Sequence, residues 1–307
     1  MKKVIISADD FGYSESVNEA IVKAHREGIL TSTSLMVAGE AFEPAVGLAR
    51  ENPSLGVGLH LVMVCGKSVL AQKEIPDLVD EDGNFLDSPT LAGIQYYFKK
   101  KSRKQLEKEI RAQFRKFKET GLSCTHVDSH LHMHINPAVF EIVLKVAKEF
   151  EVSAIRIPEE DLGLTLPFDK SHYVRKRTHN FIFSRLSRKA KAKSKSRGFR
   201  FADRVFGLFQ TGDMYPAYVE HLIGHLPEGI SEIYFHPDYV PVRDFEPTKS
   251  SHENKSISNR VNSWYDFSQG NSSEKKPNKE LKALVSPKIK ELVEKSGIEL
   301  IGYQNIL

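Results

Sequence analysis

The stretch "THVDSHLHMH", from Thr125 to His134, concentrates side chains that could do chemistry. It holds four of the twelve histidines of the chain and one aspartate within ten residues. If the stretch is extended, its polar side chains lie on one face, because side chains alternate along a strand. These are His126, Asp128, His130, His132 and His134. Burying so many polar groups is costly unless they find partners. The pattern therefore indicates a metal site, a substrate site or both, with a structural polar network as the alternative.

More polar side chains stand where other predicted strands end. Asp9 and Asp10 end "KVIISADD", His60 ends "GVGLH", Arg156 lies in "AIRI" and His236 ends "ISEIYFH". In a parallel barrel, the carboxyl ends of the strands meet on one face, and barrel active sites are built there. Polar side chains thus stand at or near the ends of five predicted strands, including "CTHVDSH". This coincidence favours an active site over unrelated structural polar groups.

Adjacent Asp9 and Asp10 point in different directions in an extended strand, so one carboxylate can bind a metal while the other acts as a base. An aspartate with two histidines is a common ligand set for a divalent metal such as zinc, and it leaves positions for water and substrate. The chain has no GxSxG serine motif, no cysteine nucleophile signature and no P-loop. A metal-activated water is therefore the best-supported mechanism.

Strand-like and helix-like patterns alternate along the whole chain of 307 residues. "KVIISADD" is followed by the helical pattern "SESVNEAIVKAHREG", and the same succession recurs down to "IELIGY". Such alternation predicts a parallel sheet with helices outside it. About seven predicted strands, with no GxGxxG after the first, favour a single (β/α) barrel over a dinucleotide-binding fold.

The positive charge is concentrated in one segment. Lys170 to Ala202 contains twelve Lys and Arg and no acidic residue, whereas the rest of the chain has 32 basic and 40 acidic residues. The segment begins amphipathically around Phe181–Leu186, and its pattern from Lys189 to Arg197 predicts a loop. An anionic membrane surface, an acidic ligand, nucleic acid or plain solvent could face it. Nucleic acid is not expected, because no recognisable binding module is present and the remainder is acidic.

The lengths of the apolar runs in the sequence bear on the location of the protein. The N-terminus has only three consecutive large apolar residues, too few for a signal peptide, and no run approaches a membrane span. These features predict a cytoplasmic protein, with peripheral membrane contact through 170–202. The long polar segment from Val240 to Asn278 is either a lid over the site or a flexible loop.

Five motifs resemble, in order, those of the YdjC-like carbohydrate deacetylases: "SADDFGYSESVNEAI", "GILTSTSLMV", "PSLGVGLHL", "THVDSHLHMH" and "YFHPDY". "FADRVFGLFQTGDM" and the C-terminal "KELKALVSPKIKELVEKSGIELIGY" are most similar to the hopanoid-biosynthesis-associated branch. The resemblance implies an α/β fold, a distorted (β/α) barrel of the polysaccharide-deacetylase type. It would form one domain over 1–307, with the insertion 170–202 and the long loop 240–278.

The resemblance also implies removal of acetyl from an N-acetylated amino sugar, either an oligosaccharide or a lipid-linked glycoside. Asp10, His60 and His130 match the metal ligands of the family, and Asp9 matches its proposed base. His134 stands four residues after His130 and could replace or join it if the chain turns helical.

Roles for the remaining polar residues follow from this mechanism. We predict that His236 is the general acid, that Asp128 orients a ligand histidine, and that His132, His134 and Arg156 contact substrate. For Arg156 a structural salt bridge is the alternative, because arginines also pair in structural networks. Zinc or magnesium is expected, and cobalt or manganese could also enter. A homodimer is compatible with the sequence. The alternative function is another metal-dependent amide or phosphoester hydrolase on the same face, and a basic nucleic-acid-binding protein is less favoured.

Overall fold

The computed structural model describes residues 1–168, 173–241 and 275–306. Most of the segment 240–278 that was predicted to be a lid or loop lies outside these ranges, as do residues 170–172 of the basic segment.

A seven-stranded parallel sheet forms the centre of the molecule. The strands are β1 (Lys2–Phe11), β2 (Ser32–Leu35), β3 (Gly56–Leu61), β4 (Val127–Ser129), β5 (Arg204–Phe206), β6 (Gly229–Phe235) and β9 (Glu299–Ile301). Their order in the sheet is β4-β3-β2-β1-β6-β5, and β9 pairs with the first half of β1. Two further strands, β7 (Tyr239–Pro241) and β8 (Lys275–Pro277), form a separate antiparallel pair. The central strands are buried on both faces, as expected for a parallel sheet covered by helices.

An extended segment over residues 153–159 connects the two edges of this curved sheet. On one side the Val127 amide of β4 donates to Ala154 O at 3.0 Å. On the other side the Val205 amide of β5 donates to Glu159 O at 3.1 Å. The strands therefore curve into a distorted barrel, which confirms the predicted fold class.

Helices cover the outside of the sheet. They are α1 (Glu15–Glu27), α2 (Phe42–Glu51), α3 (Pro89–Phe98), α4 (Lys100–Glu119), α5 (Pro137–Glu149), α6 (Leu162–Thr165), α7 (Tyr173–Ser196), α8 (Pro216–His225), α9 (Lys279–Leu284) and α10 (Pro287–Lys295). Helix α1 shows why they form: Ser14 caps it by accepting from the Val17 amide, and its buried face includes Ala20, Ile21 and Ala24. None of the helices in the described ranges combines the length and the apolar character needed to span a bilayer.

The basic segment differs from its prediction. Residues 189–196, expected to be a loop, continue helix α7. From Ser187 onward the buried residues of the helix are small: Ser187, Ala190 and Ser194, at helical spacing. Ion pairs to other segments hold the end of this helix in place, because Lys191 pairs with Glu159, and Lys193 and Arg197 pair with Glu141.

The histidine-rich stretch also departs from the single extended run considered above. Strand β4 ends at Ser129, and a 3₁₀ turn follows over His130–Ile135. Leu131 and His132 have positive φ angles of 52° and 53° inside this turn. The turn breaks the two-residue alternation, so the histidines after Ser129 do not share one face.

Candidate metal centre and active site

Asp9 and Asp10 lie near the carboxyl end of β1, where the backbone is kinked. Asp10 has a φ of 68°, and the pairing register between β1 and β2 shifts between Ala8 and Phe11. Left-handed backbone is costly for a residue with a side chain and is common at functional sites. As a result of this kink, both carboxylates belong to groups of close polar atoms that include His60.

Asp10, His60 and His130 form a buried cluster that fits a metal ion. Asp10 Oδ1 lies 3.3 Å from His60 Nε2 and 3.3 Å from His130 Nδ1. Ligands about 2.1 Å from a tetrahedral zinc ion are separated by about 3.4 Å, so these separations match those of a shared ion. Burial opposes ionisation of Asp10, but His130 and His60 outweigh it and hold the pKa of this carboxyl well below its usual value.

Asp9, His60 and Asp128 form a second group that is close enough to hold a metal. In this group, however, Asp9 Oδ2 and Asp128 Oδ2 contact the Arg156 guanidinium at 2.6 and 2.7 Å. These two carboxylates already neutralise a buried cation. The first cluster is therefore the better candidate for the metal centre.

Asp128 and Ser34 lie behind His60. The Asp128 carboxylate is 2.8 Å from His60 Nδ1, and the Ser34 hydroxyl lies 2.9 Å from the same nitrogen. Ser34 Oγ also donates to Asp128 Oδ2 at 3.1 Å. With Nδ1 bound to a carboxylate, His60 presents Nε2 to the cluster, which is the usual arrangement behind a metal-binding histidine. Asp128 thus lies where the sequence predicted an orienting residue.

Arg156 lies beneath the cluster rather than at its surface. Its side chain is fully buried, and it forms ion pairs with Asp9, Asp128 and Glu232. Burial opposes its charge, but these three carboxylates outweigh burial and raise the pKa of Arg156 well above its usual value. Enclosed and paired in this way, the guanidinium corresponds to the salt-bridge alternative for Arg156, and its contact with substrate stays a prediction.

Asp9 has one occupied and one free carboxylate oxygen. Arg156 binds Oδ2, whereas the buried Oδ1 has no hydrogen-bond partner among the described residues. His236 Nε2 lies 4.0 Å from Asp9 Oδ2, and the His236 side chain is 22% exposed. On its other side, His236 Nδ1 lies 3.9 Å from Glu280 Oε2. A free carboxylate oxygen and an accessible imidazole therefore lie beside the candidate metal cluster.

The last two predicted site histidines have different surroundings. His134 is fully buried, with Nδ1 2.6 Å from Ser129 Oγ and Nε2 2.9 Å from Arg156 O. Both of its nitrogens are occupied, and His134 is outside both candidate ligand groups. Its contact with the substrate pocket stays a prediction. His132 Nε2 is 3.0 Å from Tyr234 Oη, while no residue in the described part of the chain forms a hydrogen bond with its buried Nδ1. Burial, reinforced by Arg156, lowers the pKa of His132 well below its usual value.

Three polar residues that contribute to the site were not predicted: Ser34, Glu232 and Glu280. Ser34 lies at the end of β2, so the rule applied to the other strand ends would have found it. Glu232 lies within β6 and contacts Arg156 across the barrel interior. Glu280, on α9, accepts a hydrogen bond from the His236 amide. The last two have no local signal, because their partners are 76 and 44 residues away.

Comparison with known proteins extends these observations. Residues 3–295 match the family described as YdjC-like protein. Relatives named carbohydrate deacetylase include proteins of Brevibacillus brevis, 48% identical over 156 residues, and Oceanobacillus iheyensis, 40% identical over 158 residues. These matches cover 51% and 49% of this chain. They span 59% and 63% of the relatives, so the chain aligns with about three-fifths of their length.

The fold has a counterpart among solved structures. A protein of Enterococcus faecalis V583, whose proposed role is cellobiose-phosphate cleavage, superimposes with a TM-score of 0.69 at 24% identity. The match covers 99% of this chain and 98% of that protein, and at this identity it concerns the fold alone. The family resemblance drawn from the motifs is confirmed, whereas the hopanoid-associated branch stays a prediction. The chain belongs to the YdjC-like protein family.

Proposed function

We propose that this protein is a metal-dependent carbohydrate deacetylase that hydrolyses the acetamide of an N-acetylated amino sugar. The observation that carries the proposal is the buried Asp10–His60–His130 cluster with the free Oδ1 of Asp9 beside it. The names of the relatives support a carbohydrate substrate. The substrate is an oligosaccharide or a lipid-linked glycoside.

Asp10, His60 and His130 would hold the metal, and a divalent ion there acts as a Lewis acid toward the acetamide carbonyl and the attacking water. Asp9 Oδ1 takes the proton from water as its oxygen attacks the carbonyl carbon. Arg156 holds the other Asp9 oxygen at 2.6 Å, which keeps the carboxylate in one orientation and leaves Oδ1 free. Asp128 keeps His60 Nε2 directed at the cluster.

His236 is the general acid in this proposal. The amine is a poor leaving group until it is protonated, so His236 donates a proton to the amide nitrogen as the C–N bond breaks. Its accessible side chain beside Asp9 suits this role, and Glu280 positions it from the other side. Acetate and the free amino sugar are the products. His132 contacts the sugar through its unpartnered Nδ1, and His134 and Arg156 act as positioning residues.

Metal content and acetate release test the proposal together. The purified protein is analysed for bound metals and incubated with N-acetylglucosamine and its oligomers. His60→Ala and His130→Ala should lose metal and acetate release together. Asp9→Asn and His236→Ala should keep the metal and lose roughly 100- to 10,000-fold in turnover, the usual contribution of a positioned acid or base. His225→Ala, at an exposed histidine on α8, is the matched control and should change neither quantity.

The alternatives give different results. Equal metal loss in Asp9→Asn and His60→Ala would place Asp9 among the ligands and overturn the division of roles. Bound metal without acetate release from any N-acetylated sugar would favour another amide or phosphoester hydrolase. Zinc or magnesium is the proposed ion, with cobalt or manganese as substitutes. The cytoplasmic location and the homodimer stay predictions.

A further inference from the structure

The N-terminal half of α7 exposes apolar side chains that a folded protein usually covers. Val174 is 76% exposed and Phe181 is 58% exposed, and Tyr173 and Ile182 are exposed beside them. Arginines alternate with the aromatic residues at four-residue spacing. The Arg177 guanidinium donates to Tyr173 Oη at 2.7 Å, and the Arg185 guanidinium stacks 4.2 Å from the Phe181 ring centroid. The result is one helical face that is both apolar and cationic.

Three arginines of this face line a groove of about 580 Å³ between α6 and α7, together with Leu162 and Leu166. They are Arg177, Arg185 and Arg188. No carboxylate of the described residues forms an ion pair with any of the three, in contrast to Lys191, Lys193 and Arg197 farther along α7. Within the described ranges, these three guanidinium groups therefore have no carboxylate partner that an external anion would have to displace.

The position of α7 places this face next to the active site. The Phe183 ring contacts the His132 ring, with 6.4 Å between centroids, while the end of the helix is paired to Glu141 of α5. Tyr173 precedes Phe183 by ten residues, about 15 Å along a helix. The exposed residues of α7 thus lie within about 15 Å, along the helix, of the residue that contacts His132.

Helix α3 borders the loop that carries His130 and has a second exposed apolar face. Leu91, Ile94 and Phe98 lie at i, i+3 and i+7, and Phe98 is 73% exposed. Helix α3 borders the histidine loop, because Asn136 Nδ2 donates to Gly93 O at 3.0 Å. Exposed lysines follow directly at residues 99–101, and Lys101 among them pairs with Asp77. Two segments distant in sequence therefore show the same combination of apolar and cationic side chains.

We propose that these faces of α3 and α7 seat the protein on an anionic lipid bilayer. Exposed Phe and Leu side chains enter the interfacial region, and arginines beside them meet lipid phosphates, as in helices that lie on membrane surfaces. Exposed apolar side chains next to cationic ones match a lipid bilayer, because its interior is apolar and its headgroup layer is anionic. The proposal goes beyond the reaction, since it concerns where the enzyme meets its substrate. It replaces the expectation that the whole segment 170–202 binds through twelve charges.

Vesicle co-sedimentation tests this surface in the full-length protein. Vesicles of phosphatidylcholine with about 30% phosphatidylglycerol, which imitate an anionic cytoplasmic leaflet, should sediment the protein at low salt. The triple variant Arg177→Gln/Arg185→Gln/Arg188→Gln should partition roughly 100-fold more weakly, because each cation near an anionic leaflet strengthens binding about fivefold. Leu91→Ser/Ile94→Ser/Phe98→Ser should also lose binding. Lys282→Gln/Lys290→Gln/Lys295→Gln removes the same charge from α9 and α10 and should bind like the wild type.

Several results would overturn the proposal. The first is that the wild type does not bind anionic vesicles at low salt. The second is that the α9–α10 control loses as much vesicle binding as the arginine variant. The third is that the arginine variant binds as strongly as the wild type. Binding to RNA but not to vesicles would assign the cationic face to nucleic acid instead. Circular dichroism and acetate release from a soluble N-acetylated sugar show whether each variant is folded. A failure of the deacetylase proposal itself would appear in the acetate assay and leave vesicle binding unchanged.

Discussion

Replacing Asp128 by Asn should weaken metal binding without removing any candidate ligand. The Asp128 carboxylate accepts from His60 Nδ1 at 2.8 Å and contacts the Arg156 guanidinium at 2.7 Å. An asparagine has one acceptor oxygen and one NH₂ donor group. Arg156 offers only donors, so the asparagine oxygen should turn toward Arg156 and its NH₂ toward His60. His60 would then accept at Nδ1 and carry its proton on Nε2, the nitrogen that faces Asp10.

The expected loss of metal affinity follows from the role of Asp128. Loss of a residue that orients a metal ligand typically lowers metal affinity 10- to 100-fold, which corresponds to about 1.4–2.7 kcal/mol. Arg156 keeps its contacts with Asp9 and Glu232, so the buried cation retains two carboxylate partners. We therefore expect a folded variant whose main defect is in metal affinity.

Competition with a chromophoric chelator measures the affinity, and thermal unfolding of the metal-free protein measures the fold. Asp9→Asn is the matched control, because it removes an equally close carboxylate from the same guanidinium, at 2.6 Å, and does not disturb the Asp128–His60 contact. Wild-type affinity in Asp128→Asn, or an equal loss of affinity in both variants, would refute the reasoning about the His60 tautomer.

The remaining predictions concern stability. Burial raises the pKa of Glu160 from the usual 4.5 to about 7, so the native state retains a proton that the unfolded chain releases between these values. The free energy of unfolding should fall by up to about 3 kcal/mol as the pH rises through this window. In Glu160→Gln the difference between the unfolding free energies measured in urea at pH 5 and pH 8 should be smaller. An equal difference in wild type and variant would contradict this. A Cβ on Gly58 would lie 2.4 Å from the His126 ring, so Gly58→Ala should cost about 1–3 kcal/mol, whereas Gly47→Ala, which meets no atom within 4 Å, should not destabilise the protein. Chelation should lower the melting temperature of the wild type but not of His60→Ala, because a metal that binds only the native state stabilises it; an equal decrease in both would count against this centre.

The sequence by itself determined the fold class and the edge at which the site lies. Strand and helix periodicity is local, so the alternation from "KVIISADD" to "IELIGY" could be read without knowledge of long-range contacts. The parallel arrangement then brings the carboxyl ends of the strands together, and the sequence could place Asp9, Asp10 and His60 on one edge. The closeness of Asp10, His60 and His130 in the folded chain agrees with that expectation.

Only the tertiary structure decided where individual side chains point and what they contact. Arg156 lies in an extended segment where a strand was predicted, but its guanidinium is enclosed by carboxylates that come from β1, β4 and β6. No local pattern contains that information. His134 contacts Ser129 Oγ and the Arg156 carbonyl after a turn in which Leu131 and His132 have positive φ angles, and the sequence pattern did not specify these contacts. Helix α7 continues through its basic end because Glu141 and Glu159, distant in sequence, neutralise its charges. Directions and pairings of this kind depend on residues that meet only after folding, whereas periodicity depends on neighbours in the chain.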